Sequence, residues 1–186
     1  MILRHRAIRF AAGLLLAACA VEPRYGETTL HRSRGAGALV LAVPGTYPTV
    51  QAAIDAAAPG DVVAIAAGTY AQSVVLKEGV HLEGAGSAVT ILKGNVTVSG
   101  VTTGSVKGLA IVGAGGTGVG ITGNQTTVHV EGCVMEGWGS GASLSPPPNA
   151  SKPVRFIGNV FRNNGKGLGV SGKGSAEVRS NLFVFN

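Results

Sequence analysis

The sequence predicts an all-β protein built as a solenoid of stacked parallel coils, with one short helix at its N-terminal end. Three observations carry this. Beyond residue 95 the chain repeats: Val96-Thr-Val-Ser-Gly100 recurs 23 residues later as Val119-Gly-Ile-Thr-Gly123, with looser copies at Ala142-Ser-Leu-Ser-Pro146 and Leu168-Gly-Val-Ser-Gly172. A second segment repeats in step, from Val106-Lys-Gly-Leu-Ala-Ile111 through Val130-Glu-Gly-Cys-Val-Met135 and Phe156-Ile-Gly-Asn-Val-Phe161 to Val178-Arg-Ser-Asn-Leu-Phe183. A period in the low twenties made of β-type segments marks a solenoid, whose coils bury their apolar faces only by stacking. Lastly, 30 of the 186 residues are glycine, as short strands joined by tight turns require.

Composition narrows the function. Charged residues make up 13% of the chain, too few for a disordered tail or a coiled coil. The formal charge is +6, but Arg4, Arg6 and Arg9 precede the apolar run Phe10 to Ala18, which has the form of a secretory signal. From Cys19 onward 12 basic residues face 9 acidic ones, a scattered excess that gives no reason to expect nucleic acid.

In chain order, residues 1–18 read as the signal and 19–37 as a polar, flexible tether. Leu16-Ala17-Ala18-Cys19 resembles a bacterial lipobox, which implies a lipid on Cys19 and a membrane partner through it. Ala20, rather than an aspartate, after the cysteine implies the outer membrane in a cell with two membranes. Residues 38–61 hold a first strand, Ala38 to Val43, and a helix from Thr49 to Ala58. Thr49 is placed to cap that helix, and Val50, Ala53, Ile54 and Ala57 form its apolar stripe. Residues 62–186 form the coils. The repeat predicts inward columns of Val106, Val130, Phe156 and Val178, and of Ile111, Met135, Phe161 and Phe183. It also predicts an asparagine ladder through Asn159 and Asn181, and ion pairs Lys107–Glu131 and Glu136–Arg162 between neighbouring coils. The chain stops inside a coil, which predicts an open apolar edge or a continuing portion.

The run Gly45-Thr-Tyr-Pro-Thr-Val-Gln-Ala-Ala-Ile-Asp-Ala-Ala-Ala-Pro-Gly60, followed by Gly68-Thr-Tyr70, Val74-Val-Leu76, Val80-His-Leu-Glu-Gly-Ala-Gly86 and Thr90-Ile-Leu92, resembles the opening of a pectinesterase. More broadly the chain resembles the pectin lyase-like superfamily, which implies a right-handed parallel β-helix with its N-terminal end covered by the helix. That family's esterases use a pair of aspartates. Here Cys133-Val-Met-Glu-Gly137 resembles the segment before the first, but Gly139 and Ser140 stand in its place, and Arg155 stands where the second belongs. The chain has only Asp55 and Asp61. The calcium-binding lyases and the polygalacturonases on this fold also need aspartates, so no catalytic, metal or cofactor residues are assigned.

Other candidates weaken on inspection. Glu131 and Glu136 form a possible two-carboxylate site, but their predicted cationic partners explain them. His81 and His129 are isolated in sequence, and Cys133 reads as a small buried residue. Gly113, Gly115 and Gly118 match a dinucleotide-binding pattern, but Ile121 to Thr127 is too poor and short a helix for that role. Trp138, the only tryptophan, stands before the insertion Ser143 to Pro153. An exposed indole there, with Arg155 or Arg162 beside it, is the candidate carbohydrate-binding site. The expected function is therefore an exported, lipid-anchored β-helix protein of the cell envelope that binds or presents at a carbohydrate surface without catalysis. The alternative is a pectinesterase-like or polysaccharide lyase-like enzyme, or a fragment lacking its catalytic coils.

Overall fold

A computed structural model of the protein describes residues 37–123, 127–145 and 153–186. The signal segment, Cys19 and nearly all of the tether lie outside these residues, as does the tip of the insertion. The chain winds as a parallel β-solenoid of about six turns. Each full coil gives one strand to each of three sheets, of seven, six and five strands, and every pairing between coils is parallel. The seven-stranded sheet starts with Val40–Val43 and ends with Ala176–Arg179; the six-stranded sheet runs from Gly68–Tyr70 to Leu182–Val184; the five-stranded sheet runs from Val74–Val75 to Leu168–Val170.

Alternation along each strand sorts the side chains, one face into the interior and the other to solvent. Val106, Val130, Phe156 and Val178 pair in register, as do Ile111, Met135, Phe161 and Phe183. The columns are buried until Val178 and Phe183, which are 43% and 47% exposed because no described residue is stacked on them. The Phe161 and Phe183 rings lie parallel with centroids 4.8 Å apart, so the column is continuous up to that edge.

The helix spans Val50–Ala56. Thr49 is extended and its hydroxyl accepts the Ala52 N–H at 3.1 Å, which satisfies one of the free donors of the first turn. The stripe Val50, Ala53, Ile54 and Ala57 is buried against the first coils. The other end is closed by Lys77, whose ammonium donates to the carbonyls of Asp55 and Ala57. Gln51 turns its amide to the sheet edge, where its oxygen accepts the Val75 N–H at 2.8 Å. The helix thus covers the N-terminal end of the solenoid and supplies partners to a strand edge beneath it.

Both aspartates belong to this cap. Asp61 is 2% exposed, and its two carboxylate oxygens accept the N–H groups of Leu39 and Ala58, both at 2.8 Å. Asp55 accepts from the Gln51 amide at 2.7 Å.

Candidate functional site

Two corners of the coil carry asparagine ladders. Asn159 accepts the Cys133 N–H and donates to the Val130 carbonyl, each at 2.9 Å, and Asn181 repeats the pattern one coil later by donating to Phe156 O at 2.8 Å. Asn164 and Asn186 form a second ladder that the sequence reading missed: Asn164 accepts the Trp138 N–H and donates to Met135 O, and Asn186 donates to Phe161 O. The signal was present, because Asn164 follows Asn159 by the same interval that separates Asn186 from Asn181.

Trp138 occupies the second corner one coil earlier, and this corrects the expectation of an exposed indole. It is 8% exposed, and its Nε1–H donates to Ile111 O at 2.9 Å, the role that the Asn164 amide plays one coil on. The ring lies directly on Gly113 and Gly118, where any Cβ would collide with it. Two glycines of the dinucleotide-like pattern are therefore the bed for this indole, and Thr117–Thr122 is a strand rather than a helix. No ring face is left for a sugar.

The two arginines fall on different sheets. Arg162 is on the six-stranded sheet, bonded to Glu136 at 2.7 Å as the repeat predicts. Arg162 and Asn163 together hold the Glu136 carboxyl below its usual range. The other predicted pair, Lys107–Glu131, is also formed, at 3.3 Å. With their partners in place, the two glutamates do not form a free acid pair. Cys133 is buried, and burial pushes its thiol up to about 11, so it remains protonated and unreactive near neutrality.

Arg155 lies elsewhere, on the outer face of the seven-stranded sheet. Here register brings together residues far apart in sequence. His81, Ser105, His129, Arg155 and Glu177 stand side by side on five successive strands, at a rung spacing of ~4.8 Å. Beside them run Glu83, Lys107 and Glu131. A groove of about 400 Å³ opens over this face, walled by His81, Ser105, Lys107, Thr127, His129 and Arg155, with Pro153 at one side. Its lining contains two permanent cations and two imidazoles, and no carboxylate among the described residues. Glu177 is held outside it between Arg155 and Arg179, each Nε at 2.8 Å. The Arg155 Nε–H is not aligned on that carboxylate, so the contact is an ion pair without a good hydrogen bond.

Two details set the groove's chemistry. The His81 Nδ1 lies 2.9 Å from the hydroxyl of Ser105, a residue 6% exposed that forms part of the floor. His129 is held below its usual range, first by burial and then by the Arg155 and Lys107 charges, which together outweigh Glu131 and Glu177. It is therefore a neutral imidazole at pH 7. The sequence reading treated His81 and His129 as isolated because they are 48 positions apart; two coils of the solenoid bring them to either side of Ser105. Among the described residues no group of three His, Cys, Asp or Glu side chains is disposed to hold a metal. No family model matches the chain, and neither a curated protein nor a solved structure matches it.

Proposed function

We propose that the protein binds an acidic polysaccharide in the groove of the seven-stranded sheet, at the envelope of the cell that exports it. The single observation that supports this most is the groove's lining: Lys107, Arg155 and two imidazoles among hydroxyl groups, with no carboxylate among the described residues and with the cations' partners Glu131 and Glu177 outside it. Cations in a concave site favour a polyanion, and Ser105 and Thr127 offer hydroxyls to a sugar. The resemblance of residues 45–95 to the pectinesterases adds the same direction, a uronate polymer on a right-handed member of the pectin lyase-like superfamily. The residue assignment differs from the one expected: of Trp138, Arg155 and Arg162, only Arg155 faces this groove.

The test is affinity electrophoresis or calorimetry with polygalacturonate, against neutral dextran as control. Arg155→Gln is expected to weaken binding about tenfold, ~1.4 kcal/mol, with the thermal midpoint little changed because the arginine is at the surface. Equal binding to both polymers, or none to either, overturns the reading. The lipid anchor belongs to the same proposal. Leu16-Ala17-Ala18-Cys19 supports it, and several acyl chains would hold the domain to the bilayer. In a bacterial host, palmitate incorporation is expected for the full chain and lost in Cys19→Ser; unlabelled full-length protein counts against the anchor.

A further inference from the structure

The absence of an aspartate pair removes one route to ester hydrolysis but leaves another that needs no aspartate. Ser105 and His81 are in contact at 2.9 Å on the groove floor, a nucleophile and a base within hydrogen-bonding reach. His129 stands on the other side of Ser105, one rung away, and is neutral at pH 7 for the reasons given above. Lys107 is two positions along the strand from Ser105, on the same outer face. A serine between two imidazoles, in the one groove already suited to an acidic glycan, combines nucleophile, base and donor within a single column.

We propose that this groove is an ester hydrolase site, with Ser105 as nucleophile and His81 as general base, acting on acyl groups carried by an acidic polysaccharide. It rests on the polysaccharide reading above and adds a reaction to it. With the His81 proton on Nε2, Nδ1 accepts the Ser105 hydroxyl proton as Oγ bonds to the acyl carbon. The ester C–O bond then breaks, and the leaving sugar oxygen takes that proton from His81. Water next attacks the acyl carbon and gives a proton to His81; the bond to Oγ breaks and Oγ recovers the proton. The sum is ester plus water giving sugar hydroxyl plus carboxylic acid, with no further reactant. His129 and Lys107 are the nearest side-chain donors on this face for the oxyanion, Lys107 by leaving its ion pair with Glu131, since the backbone N–H groups of a central strand are already paired in the sheet.

The experiment treats the full chain with a fluorophosphonate at pH 8, maps any adduct by mass spectrometry, and measures acetate release from acetylated polygalacturonate. The expected result is an adduct on Ser105 and acetate release, both abolished in Ser105→Ala. His81→Gln, which keeps a hydrogen-bond acceptor beside the serine, is expected to slow both by at least about 100-fold. Circular dichroism of both variants checks that they remain folded. No adduct on Ser105 in folded protein, or acetate release that survives Ser105→Ala, overturns the proposal. So does labelling at an unchanged rate in His81→Gln. Retained polygalacturonate binding without an adduct would overturn the hydrolase alone; an adduct on Ser105 without polygalacturonate binding would overturn the polysaccharide reading and leave the dyad.

Discussion

A side chain in a solenoid answers to the coil before it and the coil after it, and Asn159 shows how far that goes. Its amide donates to Val130 O behind it, accepts the Cys133 N–H, and meets Asn181 on the other side. It is 1% exposed, so water cannot replace these partners. Asn159→Ala leaves a buried N–H and a buried C=O unpaired, at ~1–3 kcal/mol each. A loss of about 2–6 kcal/mol is expected in urea unfolding, and a change within ~0.5 kcal/mol would show that the ladder is not a stabilising device. This ladder was legible because asparagine repeated at the repeat's own period. Trp138 was not, because a corner position filled by a different residue type breaks the pattern while keeping the function: an indole N–H reaches Ile111 O where an amide reaches Met135 O one coil later. The clue lay in the surrounding glycines, which sequence reading assigns to turns but which here make room for a ring.

Between coils, the turns carry hydrogen bonds of their own, and Glu78 is the clearest case. From its turn before the second coil it accepts the backbone N–H and the hydroxyl of both Thr102 and Thr103, at 2.7 to 3.1 Å. These bonds lower its pKa to about 2, the Thr102 hydroxyl contributing most. A carboxyl whose folded pKa is depressed stabilises the fold above its unfolded pKa, about 4.5 for Glu78, and that contribution disappears as pH falls through the folded value. The window for Glu78 therefore runs from about pH 4.5 down to about pH 2. Glu78→Gln is expected to lower the thermal midpoint at pH 6 and to flatten its fall across that window. Parallel melting curves for the two proteins over the same range would contradict the assignment. The strands on either side of such turns were readable from β-branched runs and glycines. The bonds across the turns were not, since residues 78 and 102 become neighbours only once the coil length is known. The helix was readable in its cap and stripe, because those signals are local, but it ends at Ala56 with Ala57 already extended, short of the expected Ala58.

For the molecule as a whole, stacking brings polar residues far apart in sequence into one file on the seven-stranded sheet. His81, Ser105, His129 and Arg155 carry no common motif, yet register aligns them, and the groove runs along that file with Lys107, Thr127 and Pro153 at its sides. Under the proposed polyanion binding, stability and binding would be linked through His129. Its neighbours are Ser105, Arg155, Lys107, Glu131 and Glu177, with the cations and burial prevailing, so the folded protein holds its proton less tightly than the unfolded chain. Below the unfolded value of ~6.5 the unfolded chain takes up the proton first, and stability falls as pH drops. A polyanion in the groove has the opposite effect: it favours the charged imidazole and partly restores what acidification removes. Without ligand, the thermal midpoint is expected to fall between pH 7 and pH 5, and less so in His129→Gln. The rise in midpoint on adding polygalacturonate is expected to be larger at pH 5 than at pH 7, in low salt, and that gain is expected to shrink in His129→Gln. Polyuronate carboxylates remain largely ionised at pH 5, so the ligand's charge does not cancel the effect. A ligand-induced shift independent of pH, or equally strong in His129→Gln, would place the polyanion away from this column of the seven-stranded sheet.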